Sequence, residues 1–123
     1  MNKKTLLTGA GGLVGIQVDA DLRIDGKAQL DLRDWGATLN YFEEHEPTHV
    51  IHCAAKVGGV LANMNHMGEF FYDSMAMNLN VLEAARRTGA KKVVSFLSTC
   101  IYPDQAKYPL VETDLHSGEP HES

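Results

Sequence analysis

Apolar residues along this chain come in short runs separated by polar turns, and two periods alternate. Lys4-Thr-Leu-Leu-Thr8 is a short extended run that breaks into glycines, and Leu22–Ile24 reads as a second strand of a few residues. Asp25-Gly26 is a turn signal, and Ala28–Leu32 follows as another short extended piece. The period then changes. Asp34 has the chemistry of an N-cap, and Trp35, Leu39 and Phe42 make the stripe of an amphipathic helix. That helix should end near His45, because Pro47 pushes the residue before it out of the α region. Thr48–Ala55 reads as a buried strand, and Lys56–Met67, with Gly58-Gly59, as a loop. The longest helix is predicted over Glu69–Thr88. Phe71, Met75, Leu79 and Leu82 fall at helical spacing, the methionines of this helix read as core or subunit interface, Arg86-Arg87 occupy the last turn, and Gly89 stops it. Lys92–Ser98 is the last predicted strand.

Strands alternating with helices predict an α/β fold, a doubly wound parallel sheet. Residues 1–111 would form this domain, and 112–123, which carry no periodicity, read as loop or disorder. The last strand is apolar and would lie at an open sheet edge.

The glycines after the first strand sharpen the picture. Gly9, Gly12 and Gly15, preceded by Thr8, make T-G-x-x-G-x-x-G. Such a strand-to-turn passage lets backbone N–H groups approach a phosphate. The first glycine makes the turn, the second removes a Cβ that would meet a pyrophosphate, and the third lets the next segment pack closely. The competing reading is a plain glycine-rich turn. No Gly-Lys-Ser/Thr follows, so a P-loop is a poor competitor. The connection Ile16–Ile24 is too short for the three-turn helix that usually follows such a loop, with room for about one turn.

Composition narrows the classes. The chain has 123 residues, enough for one domain with a core, and 44% are apolar. No apolar run reaches the roughly 18 residues of a membrane span, and Met-Asn-Lys-Lys does not open a signal peptide. Eleven basic and sixteen acidic residues give a net charge of −5, which argues against nucleic acid as partner. Cys53 and Cys100 lie far apart and form no C-x-x-C pair, so the cytoplasm is the default compartment. His45, His49 and His52 are near in sequence, but Pro47 interrupts them, and no metal site is expected.

T-G-x-x-G-x-x-G, Asp31-Leu32, His52-Cys-Ala-Ala-Lys56 and Ser98-Thr-Cys-Ile-Tyr102 together resemble an extended short-chain dehydrogenase/reductase, with its Rossmann-like fold. More narrowly, Ala54-Ala-Lys-Val-Gly-Gly59 with Ala62-Asn63, and Leu97-Ser-Thr-Cys-Ile-Tyr-Pro103, are similar to the GDP-L-fucose synthases, over the amino-terminal part of such an enzyme. The resemblance implies an epimerase-reductase that uses NADPH on a GDP-linked 4-keto-6-deoxy sugar.

It also implies roles. Gly9, Gly12 and Gly15, with Leu13 and Val14, would meet the cofactor pyrophosphate and ribose. Asp31 and Leu32 would contact adenine, Ala54 and Ala55 would pass under the cofactor, and Met77 would face it from the long helix. Lys27 stands where the family places a cation for the 2′-phosphate of NADP. Its alternative is a solvated turn lysine, and Asp25 nearby could accept a ribose diol and favour NAD. Ser74 stands where the family has asparagine.

Ser98 would hydrogen-bond the substrate carbonyl, and Cys100 would act as acid/base for epimerisation, with an inert cysteine as the alternative. The reductase tyrosine of a Tyr-x-x-x-Lys pair has no match: His45, Ala76, Ala106 and Glu112 lie four residues after the four tyrosines. The chain alone is therefore expected to be inactive as a reductase. The resemblance further implies a homodimer in the full-length family, through the long helix and a neighbouring helix this chain does not contain, so the chain by itself is not expected to dimerise. Two alternatives stand beside this reading: a non-catalytic dinucleotide-binding module, and part of another nucleotide-sugar epimerase or dehydratase.

Overall fold

A computed structural model describes residues 2–122. Four strands, β1 (Thr5–Thr8), β2 (Leu22–Ile24), β3 (His49–His52) and β4 (Lys92–Ser95), form a parallel sheet in the order β2-β1-β3-β4. This is a Rossmann-like α/β arrangement. The helices are α1 (Trp35–His45), α2 (Val60–Asn65) and α3 (Met67–Arg87). No described helix is long and apolar enough to cross a membrane.

The register puts Leu22, Leu6, Val50 and Val93 in one row across the sheet. On that row α1 and α3 lay Phe42, Val81, Ala84 and Ala85, closing a core that includes Ile24 and Leu32. Local chemistry sets the helix limits. Asp34 caps α1 by accepting from the Ala37 N–H at 2.9 Å. Glu46 ends the helix in the left-handed region at φ 46° and donates its N–H to the Phe42 carbonyl at 2.8 Å, just before Pro47.

Several expectations are corrected. Ala28–Leu32 is no strand. Its residues turn at Gly26, which accepts from the Gln29 and Leu30 N–H groups, and the Gln29 side chain takes up the Asp25 N–H and the Arg23 carbonyl at the β2 edge. The predicted loop at 56–67 contains α2, capped at Gly59. The last strand is shorter than predicted, since Ser98 opens a 3-10 turn over Thr99–Ile101. Of the α3 methionines, read as core or subunit interface, Met77 packs on the core beside Val81, Ala84 and Ala85, while Met75 lies on the outward face with Phe71, Leu79 and Leu82. Within the segment read as loop or disorder, Glu112–His116 makes a single 3-10 turn.

The connection from β1 to β2 has a single 3-10 turn, Gly15–Gln17, in place of a long helix. Side chains close it. Asp21 accepts the Thr5 N–H at 2.7 Å, and the half-buried Arg23 guanidinium donates to the Val18, Ala10 and Gly15 carbonyls at 2.6, 3.1 and 3.1 Å. Replacing Arg23 with Met keeps the apolar stem and removes these charge-assisted bonds. The expected loss is about 1.5–3 kcal/mol of stability, read from urea denaturation. A midpoint equal to that of the parent chain would show that water replaces the guanidinium at no net loss.

Candidate functional site

In a parallel sheet all strands deliver their carboxyl ends to one edge, and a ligand crevice forms where neighbouring connections diverge. Here that edge opens into a cleft of ≈ 550 Å³. Its floor and walls come from the loops after β1, β2 and β3, together with α3.

The three glycines meet different constraints. Gly9 sits at φ +69°, and a Cβ there would stand 2.6 Å from the Ala54 nitrogen and 2.7 Å from the Cys53 carbonyl carbon. A Cβ on Gly15 would overlap the Gly9 carbonyl oxygen and stand 2.7 Å from the Ala10 Cα. At Gly12 the nearest atom is the Gly9 oxygen at 3.3 Å, and the rest of the space is open cleft. The first and third glycines are thus needed by the protein's own backbone. The second keeps clear a volume that the protein does not fill.

Gly9, Gly12, Leu13, Val14 and Gly15 line one wall. Lys27, Asp31 and Leu32, from the segment after β2, form the far end, where Asp25 also lies. Ala54 and Ala55 continue from β3 along the floor, and Met77 enters from α3 while packing against the core. Every residue expected at a cofactor therefore borders one cleft. Ser98 and Cys100, expected at the substrate, do not. From Phe96, which borders the cleft, the chain leaves the sheet, and Ser98 caps the next turn by accepting the Cys100 N–H at 3.1 Å.

The rim carries charges that the sequence did not single out. Arg33 donates to Asp31 at 2.7 Å and to Asp73 of α3 at 3.2 Å, while Lys56 reaches Asp73 at 2.9 Å and also pairs with Glu69. The side-chain hydrogen bonds from Arg33, helped by its charge and that of Lys27, lower the Asp31 carboxyl to about 2. Hydrogen bonding to Lys56, then to Arg33, likewise lowers Asp73, and Lys56 is raised in return by Glu69 and Asp73. These pairs span up to 40 residues, so no local pattern announces them.

Beneath the floor lies a buried polar chain. The Ala54 N–H donates to Thr8 Oγ1 at 3.3 Å, Thr8 Oγ1 meets His52 Nδ1 at 2.6 Å, and His52 Nε2 meets Asn78 Oδ1 at 2.8 Å. One assignment satisfies every group: the threonine hydroxyl donates to Nδ1, and a neutral imidazole protonated at Nε2 donates to the amide oxygen. Burial lowers the His52 pKa, against a smaller upward effect of Asn78. His45 and His49 go elsewhere, to the Tyr41 ring at 4.1 Å and to the Thr48 hydroxyl at 2.9 Å. One helical turn from Asn78, Ser74 accepts the Lys56 N–H at 3.2 Å and so fixes the start of the loop beyond Ala55.

Comparison with known proteins places the site in context. Residues 5–123 match the profile of the NAD dependent epimerase/dehydratase family. A probable GDP-L-fucose synthase of Drosophila melanogaster is 44% identical over 131 residues, covering 98% of this chain and 41% of that protein. The GDP-L-fucose synthase of Dictyostelium discoideum is 41% identical, covering 99% of this chain and 42% of that protein. Among solved structures, a GDP-L-fucose synthetase from Naegleria fowleri bound to NADP superposes with a TM-score of 0.80 at 40% identity, over 99% of this chain and 39% of that one. The chain spans about two fifths of the length of the curated relatives it matches.

Proposed function

The chain belongs to the NAD dependent epimerase/dehydratase family, and from that premise we propose that it is the NADP(H)-binding part of an epimerase-reductase acting on a GDP-linked 4-keto-6-deoxy sugar. The observation that carries the cofactor assignment is the unfilled space at Gly12, at the end of a cleft whose other residues are those expected at a dinucleotide. In that cleft Gly12, Leu13 and Val14 would hold the pyrophosphate, Asp31 and Leu32 the adenine, and Lys27 the 2′-phosphate. Ala54, Ala55 and Met77 would support the nicotinamide half.

When bound, NADPH supplies a hydride for a ketone carbon. The chain's own part is to position and polarise. Ser98 Oγ accepts a backbone N–H and keeps its hydroxyl proton to donate to the substrate carbonyl, and Cys100 would move the proton on the neighbouring carbon. No residue here replaces the tyrosine of a Tyr-x-x-x-Lys pair, so the 123-residue chain should bind NADPH without oxidising it. The outward stripe Phe71, Met75, Leu79 and Leu82 supports a homodimeric role for α3.

Calorimetry on the purified chain tests the cofactor assignment. NADPH should bind more tightly than NADH, and Lys27→Ala should remove most of that preference, about tenfold for a single exposed charge pair. An unchanged preference in Lys27→Ala would overturn the 2′-phosphate role of Lys27, whereas a parent chain that prefers NADH would leave Asp25 as the ribose acceptor of an NAD site.

A non-catalytic dinucleotide-binding module is favoured by one observation: Ser98 and Cys100 lie outside the cleft. Exchange of the keto sugar's carbon-bound hydrogens in D₂O separates the two readings, since only the epimerase reading expects exchange.

A further inference from the structure

Past the cleft, the 3-10 turn Thr99–Ile101 carries Cys100 into a second, smaller cavity of ≈ 140 Å³, room for about four or five waters. Its wall brings together Cys100, Asp104 and His121. His121 belongs to the far end of the chain, yet two contacts fix it there. Its backbone N–H donates to the Cys100 carbonyl at 3.0 Å, and its Nε2 stands 3.2 Å from Asp104 Oδ1. Among the described residues, the other titratable groups on this wall are the phenols of Tyr102 and Tyr108, and His121 is the one that can carry a positive charge.

We propose that Asp104, His121 and Cys100 form an acid–base relay in this cavity, in which Asp104 orients the His121 ring and His121 takes the Cys100 thiol proton. A thiol is a poor base, and only the thiolate can draw a proton from carbon. A neighbouring neutral imidazole receives the thiol proton, and the imidazolium so formed stabilises the charge left on sulfur. The thiolate then takes the proton from a carbon beside a ketone, the C–H electron pair moves into the enolate, and its charge falls on the carbonyl oxygen. The ligand class is a carbon acid next to a carbonyl, as in a keto sugar. His121 and Asp104 act through Cys100 and are positioning residues. Both partners of the Asp104–His121 pair are well exposed, at 66% and 41%, so the pair adds little stability; orientation is what it supplies.

The relay deepens the role given to Cys100 above and rests on that reading only for the identity of the substrate. The experiment therefore reads the thiol itself. Iodoacetamide labelling of the 123-residue chain is followed from pH 6 to 9, with peptide mass spectrometry separating Cys100 from Cys53, whose thiol burial pushes up. Cys100 should label with a midpoint at least one pH unit below an ordinary thiol, which is about tenfold faster at pH 7. His121→Asn should return the profile to that of an ordinary thiol, and Asp104→Asn should slow labelling several-fold at pH 7. Circular dichroism establishes that each variant is folded, and His121→Gln serves if His121→Asn is not. A Cys100 profile that is ordinary in the parent chain, or unchanged in the folded His121 variants, overturns the relay. Either result leaves the cofactor reading untouched, because none of the residues proposed to hold NADPH lines this cavity.

Discussion

Gly9→Ala and Gly15→Ala are expected to abolish cooperative folding, whereas Gly12→Ala is expected to fold and to lose NADPH binding. All three substitutions add one methyl group to the same loop, so the differences come from surroundings alone. At Gly9 the methyl would sit in a left-handed backbone, which costs a non-glycine residue about 1–2 kcal/mol before any contact is counted. It would also press on the backbone just past β3 at Cys53 and Ala54, whose N–H groups are held by the Thr8 carbonyl and hydroxyl and cannot step aside. At Gly15 it would enter the Gly9 carbonyl, inside the loop closed by Arg23. Overlaps with fixed backbone of this kind exceed the usual 1–3 kcal/mol for overpacking. At Gly12 a methyl finds space with a slight shift from the Gly9 oxygen, so stability should stay within about 1 kcal/mol of the parent. The methyl then stands where a phosphate would approach, and affinity should fall at least about tenfold, or 1.4 kcal/mol. Thermal melts beside NADPH titrations decide it. A Gly12→Ala chain that binds as the parent does would remove the main support for a dinucleotide in this cleft.

Replacing His52 with Ala should cost about 2–4 kcal/mol, because it opens a cavity and strips partners from the Thr8 hydroxyl and the Asn78 amide together. His52 is 3% exposed, so water cannot readily take over. The same residue gives stability a pH dependence of known sign. Burial lowers the pKa of folded His52, so as pH falls below about 6.5 the unfolded chain takes up a proton that the folded chain refuses. The stability held by the neutral ring is complete above that value and declines below it, by at most about 1.4 kcal/mol per pH unit. Urea denaturation from pH 7.5 to 5.5 should show this slope in the parent chain and a flatter one in His52→Gln. Equal slopes would show that the ring titrates alike in both states.

Much of this could be read from residues close together in sequence. The glycine loop, the Asp34 cap and the stop before Pro47 are local signals, and each acts within one turn of chain. Ala28–Leu32 misled because alternation alone resembles a strand, while Gln29 was already occupied with the β2 edge. The α3 stripe was open to two readings for another reason. The helix has two apolar faces, and the periodicity of Phe71, Met75, Leu79 and Leu82 is as regular as that of the face that packs. Arg33–Asp73 and His52–Asn78 could not be read at all, since charge and hydrogen-bond complementarity over 40 and 26 residues has no period.

The closure of the β1–β2 connection by Asp21 and Arg23 has an evolutionary side. Where a helix spans two strands, its length is coupled to the sheet, and losing turns would pull the strands out of register. Here two side chains satisfy the backbone directly, and Leu6 still faces Leu22. Loop length and strand register are thereby uncoupled. Such a junction can be shortened by deletion, or lengthened by a designer, while the phosphate-facing turn a few residues away keeps its shape.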